Sequence, residues 1–121
     1  MDNSILNTAK KLITGLPPED TSFDQDIIIH TNTALNILSQ LGAGDPNFQI
    51  EGKDETWDDF TDKAYLNLCK SYVALKVKVL FDPPSSGPMV EAVNTQLKEL
   101  EARINYVVDP PEENALTEQG R

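Results

Sequence analysis

The chain has 121 residues, with 20 acidic against 10 basic side chains and a formal net charge of −10. This length suits one domain with a single modest core. The negative charge repels phosphate and so argues against ordinary tight nucleic-acid binding. No apolar run approaches the roughly 20 residues that span a bilayer, and the N-terminus lacks the pattern of a secretory signal. We therefore expect a soluble, globular protein with no membrane contact.

A first helix is predicted to begin after Ser4, because a serine hydroxyl at this position can accept a backbone N–H of the first turn. Gly15 should end the helix, and the double proline at 17–18 prevents its continuation. The apolar residues that share one face are Ile5, Leu6, Ala9, Leu12 and Ile13.

A second helix is predicted with Thr21 or Ser22 as its N-cap. Asp24 and Asp26 suit its first turn, since carboxylates there interact favourably with the helix dipole. Gly42 should close it. Its apolar residues are Ile27, Ile28, Ala34, Leu35, Leu38 and Leu41.

The next segment, from Gly42 to Glu55, is predicted to be a loop because it holds three glycines, one proline and four acidic residues. A short extended segment around Phe48 to Ile50 is an alternative expectation for part of this loop. Thr56 and Asp59 then have the spacing of a capping box. Trp57 and Phe60, three residues apart, should attach this region to the core.

A long third helix is predicted to continue from the capping box to Phe81, where a double proline stops it. One apolar stripe on it comprises Leu68, Tyr72, Leu75 and Val79, and a second comprises Tyr65, Cys69, Val73, Lys76 and Leu80. Charge changes sharply along this region. Residues 42–63 carry seven acids and two bases (net −5), whereas residues 64–81 carry three lysines and no acid (net +3).

The fourth helix is predicted to start at Ser86 or Gly87, with Pro88 in its first turn. Its apolar residues have heptad-like spacing: Val90, Val93, Leu97, Leu100, Ile104 and Val107. Residues 1–108 should therefore form an all-α, four-helix bundle-like domain with the long third helix at its centre. The predicted core comprises Trp57, Phe60, Leu68, Tyr72, Leu75, Val79, Val93, Leu97, Leu100 and Ile104. Residues 109–121 are too polar to fold alone and should form a flexible acidic tail.

The sequence offers little catalytic chemistry. Cys69, flanked by apolar residues, is interpreted as a packed core thiol of a reducing compartment, and His30 as a structural residue. One cysteine and one histidine cannot provide a zinc site. The acids at positions 54, 55, 58, 59 and 62 lack the ligand pattern of a calcium loop and are interpreted as solvated surface. We predict no enzyme, cofactor or metal.

The three lysines of the third helix have two interpretations. Lys70 and Lys78 lie eight residues apart and so share a helix face, with Lys76 offset. They could line a nucleic-acid surface, but a pairing surface for neighbouring carboxylates is favoured. Candidate inter-subunit residues are the acids Asp54, Glu55, Asp58 and Asp59 with the lysines Lys70, Lys76 and Lys78.

Several stretches together resemble a known family. They are the runs 12–20, 23–32, 55–60, 72–84 and 89–107. Their order and content resemble the head–tail connector (adaptor, or head-completion) proteins of long-tailed bacteriophages. The resemblance covers residues 4 to 108 and rests on packing patterns in a fixed order.

The resemblance implies a virion protein of the neck, between capsid and tail, assembled in the host cytoplasm. It implies a ring of about twelve copies beneath the portal protein, with cyclic symmetry. Such a ring extends the DNA channel, lets phage DNA pass without sequence-specific binding, and offers a surface to the stopper or tail-terminator protein. A C-terminal segment of relatives docks on the portal. The matching candidates here are Asp109, Pro110, Pro111, Glu112, Glu113 and Leu116.

Two other functions remain open at this point. An acidic regulatory or inhibitor protein could mimic DNA, although the longest predicted helix carries no acid before Asp82. Alternatively, the heptad seam of the fourth helix could close a homodimer, although that seam is short for an independent coiled coil.

Overall fold

The computed structural model describes residues 3–17, 19–61 and 63–108. In these ranges lie five α-helices and one antiparallel bridge, between Ser4 and Thr56, with no extended strand. The helices are α1 (Ile5–Ala9), α2 (Asp24–Gln40), α3 (Trp57–Phe60), α4 (Leu66–Phe81) and α5 (Gly87–Val108). The predicted all-α fold class is confirmed.

Both predicted ends of the first helical segment are confirmed. The Ser4 hydroxyl accepts the backbone N–H of Asn7, and Gly15 ends the segment in the left-handed region at φ 74°. Between them, α1 continues into a π-helical turn, Lys10–Thr14, which the sequence pattern did not predict. Lys10 is buried there and forms a 2.8 Å ion pair with Asp24, at the start of α2. A buried charge needs such a partner, so this pair ties the turn to α2.

The predicted N-cap of α2 is wrong. The helix starts at Asp24 with Phe23 as N-cap, and no side chain caps it. The reason is local: the Asp20 carboxylate accepts the backbone N–H of Ser22 at 3.0 Å, which holds residues 20–22 in a turn before the helix. Hydrogen bonds from the Ser22 backbone and side chain also lower the pKa of Asp20.

The single long helix predicted from Thr56 to Phe81 is also wrong. The capping box of Thr56 and Asp59 is present, but the helix it starts, α3, ends at Phe60. Thr61 is extended (φ −162°, ψ 144°), and its hydroxyl accepts the backbone N–H of Lys63 at 3.3 Å. This local bond competes with helix continuation. A separate helix, α4, then begins at Leu66.

The central position predicted for the lysine-bearing helix is observed, since α4 packs against α2 on one side and α5 on another. The rings of Phe23 and Phe81 pack nearly perpendicular to each other with centroids 5.6 Å apart, which joins the start of α2 to the end of α4. The Asn105 amide donates to the Leu41 carbonyl at 3.4 Å, so the last turns of α5 reach the end of α2. The bundle therefore has two distinct ends.

The buried stripe of α4 differs from the stripe that we assigned to the core. Its fully buried residues are Cys69, Tyr72, Val73 and Val77. Of the assigned stripe, Leu68 and Leu75 are only partly buried against the core, and Val79 is half-buried beside a surface recess. The buried face is thus rotated toward α2, because α4 must be covered by α2 as well as α5. In the other elements, Trp57, Phe60, Leu97 and Ile104 are buried, and Val93 and Leu100 are partly buried.

Gly44 lies directly beneath the Phe60 ring. Its φ of 84° is in the left-handed region, which side chains other than glycine's rarely adopt. A Cβ atom at this position would overlap the ring carbons of Phe60. Phe48 packs edge-on against the same ring with centroids 5.6 Å apart. Gly44 therefore allows the acidic loop to close over the core.

Replacing Gly44 with alanine should lower the free energy of unfolding by about 2–4 kcal/mol, since it combines backbone strain with overpacking. Gly52→Ala is the matched control, because a Cβ there meets no atom within 4 Å. It should change stability by less than about 0.5 kcal/mol. Urea unfolding followed by circular dichroism measures both, and equal midpoints would contradict the packing described.

Candidate assembly surfaces

The acidic segment, residues 42–63, is held to the N-terminal residues by backbone hydrogen bonds. The Ile5 N–H donates to the Glu55 carbonyl at 3.0 Å, and the Trp57 N–H donates to the Asn3 carbonyl at 3.2 Å. The indole N–H of buried Trp57 also donates to the Thr8 hydroxyl at 3.2 Å. These bonds fix α3 against α1 and so fix where its carboxylates lie.

A second anchor joins the loop to α2. The side-chain amide of Asn32 donates to the Ile50 carbonyl at 3.0 Å, and its oxygen accepts the Ile50 N–H at 2.8 Å. The Ile50 side chain is buried. No β-ladder is needed around Phe48 to Ile50, because one asparagine satisfies the backbone that a neighbouring strand would otherwise pair.

Three of the four candidate acids have intramolecular roles. The Glu55 carboxylate accepts the backbone N–H groups of Glu51 and Gly52 at 3.1 and 3.4 Å. Asp59 accepts the Thr56 N–H at 3.0 Å. Asp58 accepts from the Asn3 side chain at 3.2 Å.

Asp54 differs from these acids. It is exposed, and no hydrogen bond or ion pair of its side chain occurs among the described residues. It is the candidate acid whose carboxylate is most available to another molecule.

The three candidate lysines lie at different positions along α4 and differ in exposure. The Lys70 ammonium is 5.7 Å from the centroid of the Trp57 ring, close enough for a cation–π interaction beside α3. Lys76 is half-buried, and exposed Lys78 lines a recess near the end of α4. Within the described part of the chain, none of the three has a carboxylate within 4 Å.

A hydrogen bond links the two helices of the α4–α5 hairpin. The hydroxyl of buried Tyr72 donates to the Glu101 carboxylate at 2.7 Å. Burial, and then the bond to Glu101, raise the pKa of Tyr72 above its usual range. Burial likewise raises the pKa of the Cys69 thiol to about 11, so the thiol is neutral and packed at neutral pH.

The described residues contain no group of three or more His, Cys, Asp or Glu side chains placed to hold a metal ion. None of the described helices is both long enough and apolar enough to cross a membrane. The candidate portal-docking residues, from Asp109 to Leu116, lie outside the described residues.

Comparison with known proteins identifies the family of the chain. The family model for phage connector proteins matches residues 5–111 of the 121-residue chain. The chain therefore belongs to the phage head–tail connector family. Comparison with curated proteins and with solved structures finds no match.

Membership in this family has direct consequences for the role of the chain. The family is structural, and its members act where the phage head joins the tail. The chain is accordingly a component of the virion neck that associates with portal and tail proteins.

Replacing Tyr72 with phenylalanine should lower the free energy of unfolding by about 1–3 kcal/mol, because it removes a hydrogen bond to a charged group. Tyr106→Phe removes the same hydroxyl from a side chain that is 60% exposed on α5, and should cost less than about 0.5 kcal/mol. Chemical unfolding of both variants provides the measurement. A Tyr72→Phe protein as stable as Tyr106→Phe would show that the hydroxyl does not hold α4 to α5.

Proposed function

We propose that the chain assembles as a ring of about twelve copies beneath the portal. The ring extends the DNA channel and gives the stopper or tail-terminator protein its attachment surface. The observation that carries this proposal is the match to the connector family over residues 5–111. The protein acts by assembly, without a catalytic step.

The net charge of −10 supports the channel role. DNA must cross the neck without binding to its wall, and a negative wall repels the phosphate backbone at every sequence. Phage DNA is thus a passing partner, with no sequence-specific contact.

Opposite charges on two parts of the chain support contacts between neighbouring copies. The acidic segment 42–63 has a net charge of −5, and residues 64–81 have +3. We assign the inter-subunit contact to Asp54, Glu55, Asp58 and Asp59 of one copy and to Lys70, Lys76 and Lys78 of the next. Such complementarity selects orientation and partner more than it adds affinity.

The purified chain should be a monomer or weak oligomer alone and should reach about twelve copies on a portal ring. Native mass spectrometry with and without portal measures this. Reversing Lys70, Lys76 and Lys78 to glutamate should reduce rings on the portal at least about tenfold, since reversed charges repel across the interface.

The control for this reversal changes the net charge by the same amount at exposed sites outside both charged regions: Lys11, Lys98 and Arg103 to glutamate. Rings should still form from the control. Normal rings from the Lys70, Lys76 and Lys78 variant would refute the proposed contact. Circular dichroism confirms that each variant is folded.

We also propose that the acidic tail docks on the portal. Residues 109–121 carry four acids and one arginine, with Leu116 as the one large apolar side chain. A segment of this composition gains structure when a partner covers it. The candidate contacts are Asp109, Pro110, Pro111, Glu112, Glu113 and Leu116.

Deleting residues 109–121 should weaken portal binding at least about tenfold while leaving the unfolding transition of the domain unchanged. A tail of the same length built from glycine and serine is the control for length and should bind as weakly as the deletion. The portal affinities of the full chain, the deletion and the glycine–serine variant are measured with purified proteins by interferometry. Full affinity without the tail would contradict the assignment.

A further inference from the structure

Within the acidic segment, the stretch 51–55 is held in shape by one of its own side chains. The half-buried Glu55 carboxylate accepts the backbone N–H of Glu51 at 3.1 Å through one oxygen and that of Gly52 at 3.4 Å through the other. A single side chain thus satisfies two successive backbone donors, as local side-chain-to-backbone motifs do. The carboxylate of Glu55 therefore acts on the backbone of its own stretch.

Contacts with other parts of the chain hold both ends of this stretch. Just before it, the Asn32 side chain donates to the Ile50 carbonyl at 3.0 Å and accepts the Ile50 N–H at 2.8 Å. At the other end, the Ile5 N–H donates to the Glu55 carbonyl at 3.0 Å. Residues 53 and 54 therefore connect two fixed points, and so short a connection has few conformations available to it.

The charged side chains of the stretch differ in their surroundings. Glu51 and Lys53 line a cleft together with Lys10 and Asp24 of the same chain. Asp54 is not part of that lining; it is exposed, and among the described residues its carboxylate has no hydrogen bond or ion pair. The stretch thus presents the Asp54 carboxylate to solvent at a position that the fixed backbone on either side defines.

We propose that Asp54 makes the charge contact of the acidic segment with a lysine on α4 of the neighbouring copy, and that Glu55 is a positioning residue for Asp54. This inference rests on the ring assembly proposed above and divides the acids named there into two roles. A carboxylate that already binds two backbone N–H groups would have to release them to bind an ammonium group, which would leave both N–H groups unpaired. An exposed carboxylate on a fixed backbone exchanges only water, and its loop need not be ordered on assembly.

Paired substitutions in the full chain, assembled on portal, separate the two roles. Asp54→Asn and Asp54→Ala each remove one charge, and each should raise the chain concentration for half-maximal ring formation at least about fivefold, because the charge itself makes the contact. Glu55→Gln and Glu55→Ala also remove one charge each, but Glu55→Gln keeps an acceptor oxygen at the same reach. Glu55→Gln should therefore form rings at a concentration at least about threefold lower than Glu55→Ala does. Native mass spectrometry over a range of chain concentrations measures all four variants.

The comparison within each pair is matched in net charge, so the outcomes are distinct. Equal ring formation by Glu55→Gln and Glu55→Ala would show that Glu55 contributes only its charge and would overturn the positioning role. Ring formation by Asp54→Asn equal to that of the unmodified chain would overturn the contact role of Asp54.

Hydrogen exchange of the free chain tests the positioning role without portal. The amides of Glu51 and Gly52 should be protected in the unmodified chain and equally in Asp54→Asn. In Glu55→Ala their protection should fall at least about fivefold, the effect of losing about one hydrogen bond, while the amides of α4 stay protected. Glu55→Gln should keep the protection of Glu51, whose bond is the shorter of the two. Unchanged protection in Glu55→Ala would show that the carboxylate does not hold the stretch.

Charge exchange tests the lysine partner. Asp54→Lys should block ring formation, and adding one of Lys70→Asp, Lys76→Asp or Lys78→Asp should restore it, since the pair of opposite charges is then re-formed across the interface. Restoration by one of the three identifies the partner. Restoration by none of them would contradict a lysine partner for Asp54.

These experiments separate two failures. If the unmodified chain forms rings on the portal and the Asp54 variants form them equally well, the assigned contact is wrong and the connector ring stands. If the unmodified chain forms no ring on the portal, the proposed function itself is wrong.

Discussion

The whole domain depends on covering one helix. The centre of α4 buries Cys69, Tyr72, Val73 and Val77 completely, and neither α2 nor α5 alone could remove that surface from water. Each fully buried side chain of this size contributes about 1.5–3 kcal/mol relative to its exposed state. Since α4 must touch both partners, α2 and α5 are placed on different sides of it. That placement leaves the turn between α4 and α5, with the first residues of α5, exposed to solvent.

Sequence reasoning succeeded where the determining interaction is local. Ser4, Gly15 and the Thr56–Asp59 pair were predicted because a cap needs only a few neighbouring residues. It failed where another local hydrogen bond competes with the cap or the helix that the pattern predicts. The Asp20 turn displaced the start of α2, and Thr61 interrupted the long helix. Val77 was missed because helical periodicity alone cannot show which two sides of a helix will be covered.

The charges of the candidate surfaces could be predicted from the sequence, but the positions and hydrogen-bond partners of their side chains could not. The contrast between residues 42–63 and 64–81 is evident from counting alone. The sequence gives no sign that Glu55 and Asp58 bind groups of their own chain, because their partners are backbone N–H groups and Asn3. Such contacts hold the carboxylates of the acidic segment in defined positions. Shape is what allows a charged segment to select one partner orientation.

The double hydrogen bond of Asn32 to Ile50 makes a half-buried position in α2 a determinant of the shape of the loop surface. One amide both donates and accepts, so even an aspartate of equal size would set two acceptors against each other at the Ile50 carbonyl. The loop would then lose its register with the helix behind it. A substitution at Asn32, a residue of α2 outside the acidic segment, would thus change the shape of that segment without altering any of its charges.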